Sequence, residues 1–271
     1  MKHIHILFNG LQQKTNHTIR FSRFAFVLIA AAVFILPGCS ENLSSDSVKQ
    51  FQQGLELFAQ AQKPDDYLQS AKCYESLLKQ NVKSGAVYYN LGNAYAMAGD
   101  KPAALAAYRQ AVPYMPGNAR LQDNILSVGG KNRPTPLFEN LFFWQNWISF
   151  PAKAILATVL LSLFALTTLI WLAVKIKALK YAAAILFLLT ACAFVSVQYD
   201  YYRFVQVQHG VVSESKVTAR KGDAQTYAEA FTQPLTAGTE FTLEQKRGAW
   251  LLIKLDDSHD GWIPADSAIV Y

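Results

Sequence analysis

The chain has 271 residues, of which 52% are hydrophobic and only 16% charged, a richer apolar content than a soluble domain of this size needs. Its formal net charge of +6 is concentrated in two places. Lys2, Lys14, Arg20 and Arg23 precede one apolar run, and Arg133, Lys153, Lys175, Lys177 and Lys180 flank two others against the single acid Glu139. Elsewhere acids balance or outnumber bases, so the charge argues against a nucleic-acid partner and reads as a signal of membrane topology.

Residues 1–39 read as an export signal, with a basic, acid-free start, an apolar run over 24–36 and the small-residue site PGCS. The stretch ILPGCS resembles a bacterial lipobox, with Leu36 three residues before Cys39 and Gly38 just before it. That resemblance implies cleavage and acylation at Cys39, which then becomes the lipidated first residue of a mature lipoprotein. The alternative is an uncleaved anchor or a plain secretory signal peptide, with Cys39 an incidental thiol.

Residues 47–128 carry a repeat. With Gly85 in first position, Tyr88, Leu91, Gly92 and Tyr95 on one helix and Ala104, Tyr108, Ala111 and Pro116 on and after a second fall at the inter-helix contacts of a 34-residue period. This pattern resembles the tetratricopeptide repeat. One period earlier, Leu57, Phe58, Ala61, Ser70, Tyr74 and Leu77 occupy equivalent places, which gives repeats over 51–84 and 85–118 and a capping helix in NARLQDNILSV. The turn AGDK suits a left-handed Gly99 and an Asp100 helix cap. So short an array buries its apolar faces only with help from the capping helix or from another surface, and the second case argues for a partner. The family resemblance places a partner groove on the first helix of each repeat, at Gln52, Leu55, Ala59, Ala86, Tyr89, Asn93, Ala96 and Met97. Asn93 has two readings, a hydrogen-bonding partner of the main chain of a bound peptide or a solvated polar side chain.

A Gly/Pro-containing linker and the aromatic segment LFFWQNWISF, together residues 129–152, lead into a transmembrane hairpin over 153–198. The uncharged runs 154–174 and 181–197 approach or reach the length of about 20 residues that a membrane-crossing helix needs. Tyrosines in SVQYDYYRF extend the second run at headgroup level. The connector KIKALK is expected to be a loop, and its lysines assign it to the cytoplasm. Both flanking domains then face outward, in agreement with the export signal.

From residue 210 to 271 the period changes to the alternation of short strands, in GVVSESKVTAR, TEFTLEQK and AWLLIKLDDSHDGWIPA. The order and spacing of Val217, Arg220, Gly222, Leu235, Gly238, Thr239, Trp250, Gly261 and Trp262 resemble the bacterial SH3-like barrel. Tyr227, Trp250 and Trp262 are either an aromatic binding surface or packing of the barrel.

No catalytic constellation is legible. His209 and His259 stand alone, GGK at Gly129 lacks the spacing of a phosphate loop, and HD at His259 lacks metal-ligand spacing, so no enzyme activity, cofactor or metal is expected. The cysteines Cys39, Cys73 and Cys192 are placed too differently to suggest a disulfide.

The fold class expected is thus a multidomain membrane protein: all-α helical hairpins, two transmembrane helices and a C-terminal all-β SH3-like barrel. That order resembles the BatE-type proteins of the Bacteroides aerotolerance group. The resemblance implies a bacterial inner-membrane scaffold with both soluble domains in the periplasm. The partners it implies are membrane proteins, among them Bat proteins with von Willebrand A domains and an associated MoxR-type ATPase system, in oxidative-stress tolerance. An envelope sensor whose SH3-like domain binds cell-wall peptide is the alternative.

Overall fold

The computed structural model describes residues 44–132, 138–139, 142–255 and 259–271. The export segment with Cys39, part of the linker and part of the DDSHDG turn lie outside them. The described chain divides into two compact units: residues up to Ala152 together with Gln198–Tyr271, and separately Lys153–Val197.

The first unit opens with a helical array: α1 (Ser45–Gln60), α2 (Pro64–Lys79), α3 (Gly85–Ala98), α4 (Lys101–Ala111) and α5 (Ala119–Ser127). Its helix starts are set by local chemistry. Ser44, Ser84, Asp100 and Asn118 each accept, through a side-chain oxygen, a backbone N–H three residues on, at 3.0–3.2 Å. At α2, Pro64 fills the first turn and the Asp66 carboxylate reaches back to the Lys63 N–H at 3.0 Å. Gly99, at φ 87°, makes the left-handed turn between α3 and α4.

Neighbouring helices run antiparallel and close. Phe51 meets Tyr74 and Phe58 meets Tyr67 across the first pair, at ring-centroid distances of 5.6 and 5.1 Å. In the second pair the Tyr108 ring lies on Gly92, where a Cβ would overlap it. The first pair meets the same demand with Gly54, where a Cβ would come within 2.8 Å of Tyr74. There Ser70 Oγ donates to the Gly54 carbonyl at 2.7 Å. One period before Gly92 stands Phe58, so in the first pair the small residue sits one helical turn earlier.

The C-terminal part is an antiparallel sheet of β1 (His209–Val212), β2 (Glu240–Arg247), β3 (Trp250–Lys254), β4 (Asp260–Pro264) and β5 (Ala268–Val270), in spatial order β4-β3-β2-β1-β5. Its core gathers Val212, Val217, Leu235, Phe241, Leu251, Ile253 and Ile263. Two features differ from expectation. The segment around Val217 makes isolated bridges, Val217 to Leu235 and Arg220 to Glu229 and Trp262, instead of a continuous strand. Strand β5, which pairs with β1, is three residues long, too short for alternation to reveal it.

Array and sheet are docked. Val211 of β1 belongs to one buried cluster with Tyr88, Leu105, Tyr108, Leu121 and Ile125, and Ile269 and Tyr271 pack against it. Beside this cluster, Arg109 of α4 forms a two-pronged ion pair with Glu240, Nε to Oε2 at 2.8 Å and Nη2 to Oε1 at 2.7 Å. Arg109 Nη2 also donates to the Lys131 carbonyl at 2.6 Å. The side chains are 6% and 17% exposed. The short array therefore completes its core on the chain's own sheet. Of the ways open to so short an array, the other surface that completes its core is the chain's own sheet, and the two lie in one compact unit.

The second unit is built from α6 (Phe150–Val174) and α7 (Lys177–Tyr201), the latter running on into a π turn at Tyr202–Gln206. The α6 and α7 ends outside Lys153–Val197 belong to the first unit. Only Lys175 and Ile176 separate the helices, so the connection is shorter than the expected six-residue loop. Lys175 takes a left-handed turn at φ 60°, and the following KALK is rich in good helix formers, so the helix resumes at once. Both helices are long and apolar enough to span a membrane. Leu166 is 52% exposed and Leu188 63%, whereas a soluble core helix buries such residues.

Candidate partner-binding face

The residues assigned to a groove divide into two groups. Gln52, Leu55 and Ala59 form an exposed stripe on α1, spaced to share one helical face, and Ala86 and Met97 are exposed on α3. Leu55 is 43% and Met97 52% exposed, so both present apolar surface to solvent. Ala96 is half-buried and packs on the array core.

Tyr89 and Asn93, in contrast, are half-buried and engaged. Asn93 Oδ1 accepts from the Tyr108 hydroxyl at 2.9 Å and from Asn124 Nδ2 at 3.0 Å. Asn124, on α5, also donates to the Tyr89 hydroxyl at 3.3 Å. Burial pushes the Tyr108 phenol up to about 12, with nearby Tyr89 adding to the shift. The Asn93 oxygen thus holds α5 against α3, so the side chain is more than a solvated polar residue. Asn124 is the residue that sequence reasoning missed, because a polar residue on a short capping helix has no periodic signature.

On the sheet, Trp250 pairs with Pro264 and Trp262 with Leu252, while Leu251, Ile253 and Ile263 are buried in the core, so both tryptophans share the outer face. Trp262 is nevertheless only 8% exposed. The Arg247 guanidinium stands 5.0 Å from its ring centre and is held there by Asp223 at 3.1 Å. Trp262 is therefore packing, and the exposed aromatic of the three is Tyr227, at 49%, whose ring rests on Gly222. Trp250 is half-buried.

A further cluster joins the linker to the end of α7. Glu139 is ion-paired with Arg203 and accepts from the Tyr199 hydroxyl at 3.2 Å. Phe138 stacks on Tyr199 with centroids 4.4 Å apart. The sequence shows Glu139 as a lone acid; its partner is 64 positions away. Among the described residues Cys73 and Cys192 are free thiols.

Compared with known proteins, the chain matches no family model and no curated protein.

Proposed function

We propose that the protein is a membrane-anchored scaffold that holds partner proteins through the exposed α1 and α3 stripes, with the C-terminal sheet bracing the array. The observation that carries this reading is that array and sheet form one compact unit whose chain leaves and re-enters through an apolar helical hairpin. Two domains docked on each other share one side of a membrane, which requires an even number of spans between them, and the hairpin supplies two. The lysines of the turn favour a cytoplasmic connection and so a periplasmic scaffold at the bacterial inner membrane.

The array reads as tetratricopeptide repeats, a reading supported by Gly92 beneath Tyr108 and by the left-handed Gly99. The sheet reads as an SH3-like barrel, supported by the Val217–Leu235 bridge and by Gly261, where a Cβ would crowd Ala219 and Ala230. With this domain order, Bat-type membrane proteins are the partner class to test first, and the role is assembly, not catalysis. The cell-wall sensor is less favoured, because Trp262 is packed beneath Arg247.

The test is cross-linking in native membranes and copurification, comparing wild type with Leu55→Glu/Met97→Glu. That variant charges two exposed apolar positions and leaves the Asn93–Asn124 contact intact. Membrane proteins should copurify with wild type and be lost from the variant. The same partners on both, or only cell-wall fragments on both, would overturn the scaffold reading.

A further inference from the structure

We propose that the membrane hairpin carries a binding site for an anionic phospholipid, in the cleft between α6 and α7 at their lysine-bearing end. This rests on the reading of the two helices as membrane spans. The cleft has a volume of about 430 Å³ and is lined by Phe164, Thr168 and Trp171 on α6 and by Lys180, Ala184 and Phe187 on α7. Phe164 and Phe187 bring the walls together, with ring centroids 5.7 Å apart. Nearer the turn the α7 wall is alanine, which leaves the space open. The Thr168 hydroxyl donates to the Phe164 carbonyl at 2.8 Å within its own helix, so the walls present an apolar surface.

Charge marks one end of this cleft. Lys180 is part of its lining, and Lys175 holds its ammonium 5.4 Å from the centre of the Trp171 ring. Lys177 opens α7 beside it, and no Asp or Glu occurs between residues 153 and 197 to balance them. An apolar slot with cations at one end matches a lipid whose acyl chain fills the slot and whose phosphate meets the lysines, the recognition mode of basic pockets between transmembrane helices. A zwitterionic headgroup would add a cation to a group of cations. An extended peptide would bring backbone N–H and C=O groups against walls with nothing to bond them.

The test uses the full chain in mild detergent with equal amounts of phosphatidylglycerol and phosphatidylcholine, the retained lipids being counted by native mass spectrometry. Wild type should retain phosphatidylglycerol preferentially. Lys175→Gln/Lys180→Gln should reduce that preference roughly fivefold per lysine, and Ala184→Phe should lower retention by filling the cleft while keeping every charge. No preference in wild type would overturn the site, as would follow if the 24–36 run or a second copy of the chain filled the cleft. A preference that survives Ala184→Phe would overturn it in favour of general surface charge. Carbonate extraction separates the two levels: a chain that stays in the membrane without lipid preference loses only the lipid site, whereas a chain released from it loses the spanning reading as well.

Discussion

At Gly92 the absence of a side chain decides whether α3 and α4 can close, because the Tyr108 ring occupies the space a Cβ would need. Gly92→Leu should destabilise the array by roughly 1–3 kcal/mol, the usual cost of overpacking. A thermal melt followed by circular dichroism checks this, and an unchanged midpoint would contradict the packing. The buried tyrosines set a limit at alkaline pH. Burial raises Tyr88 and Tyr108 from an ordinary 10.0 to about 12. The unfolded chain therefore ionises first, so stability is full below pH 10 and falls as pH rises toward 12. Equilibrium unfolding from pH 9 upward should show that fall, and a flat profile would mean the phenols are not buried. Gly92, Tyr108 and Gly99 were legible in the sequence because the repeat period fixes which residues meet. Gly54 was not, since the first pair places its small residue one turn off that period.

Among the elements, the contact between α4 and β2 depends most on one ion pair. Arg109 and Glu240 stand 131 positions apart and carry no local signal, so only the folded chain reveals them. Glu240→Gln leaves a guanidinium that is nearly buried without its counter-charge, and losing one partner of a buried pair costs about 3–5 kcal/mol. The single variant should separate the melting of array and sheet into two transitions, while Arg109→Met/Glu240→Met should restore much of the loss. A single variant that melts like wild type would show that the apolar cluster around Val211 holds the interface alone. Helix and strand positions were largely legible from period and turn chemistry. The exceptions have physical causes: Lys177 and Lys180 were assigned to a loop because they fall in the short connector between two uncharged runs, yet lysine is also a good helix former. The face of α3 that carries Asn93 was legible, whereas its partner Asn124 on α5 was not.

For the whole molecule, docking changes how the chain works. Two tethered modules would search independently for partners, with avidity set by the tether. One docked body presents the α1 and α3 stripes in a fixed relation to Tyr227. Its charge pairs at both junctions, Arg109–Glu240 and Glu139–Arg203, connect segments far apart in sequence, so sequence could suggest the domains but not their union. The most direct measurement is membrane-impermeant thiol labelling of intact cells, with single cysteines at Leu55, Ile176 and Tyr227 in a background lacking Cys39, Cys73 and Cys192. One docked unit held outside the membrane by a hairpin predicts labelling at Leu55 and Tyr227 and protection at Ile176 until the membrane is opened. Labelling of Leu55 and Tyr227 on opposite sides, or of Ile176 in intact cells, would contradict it.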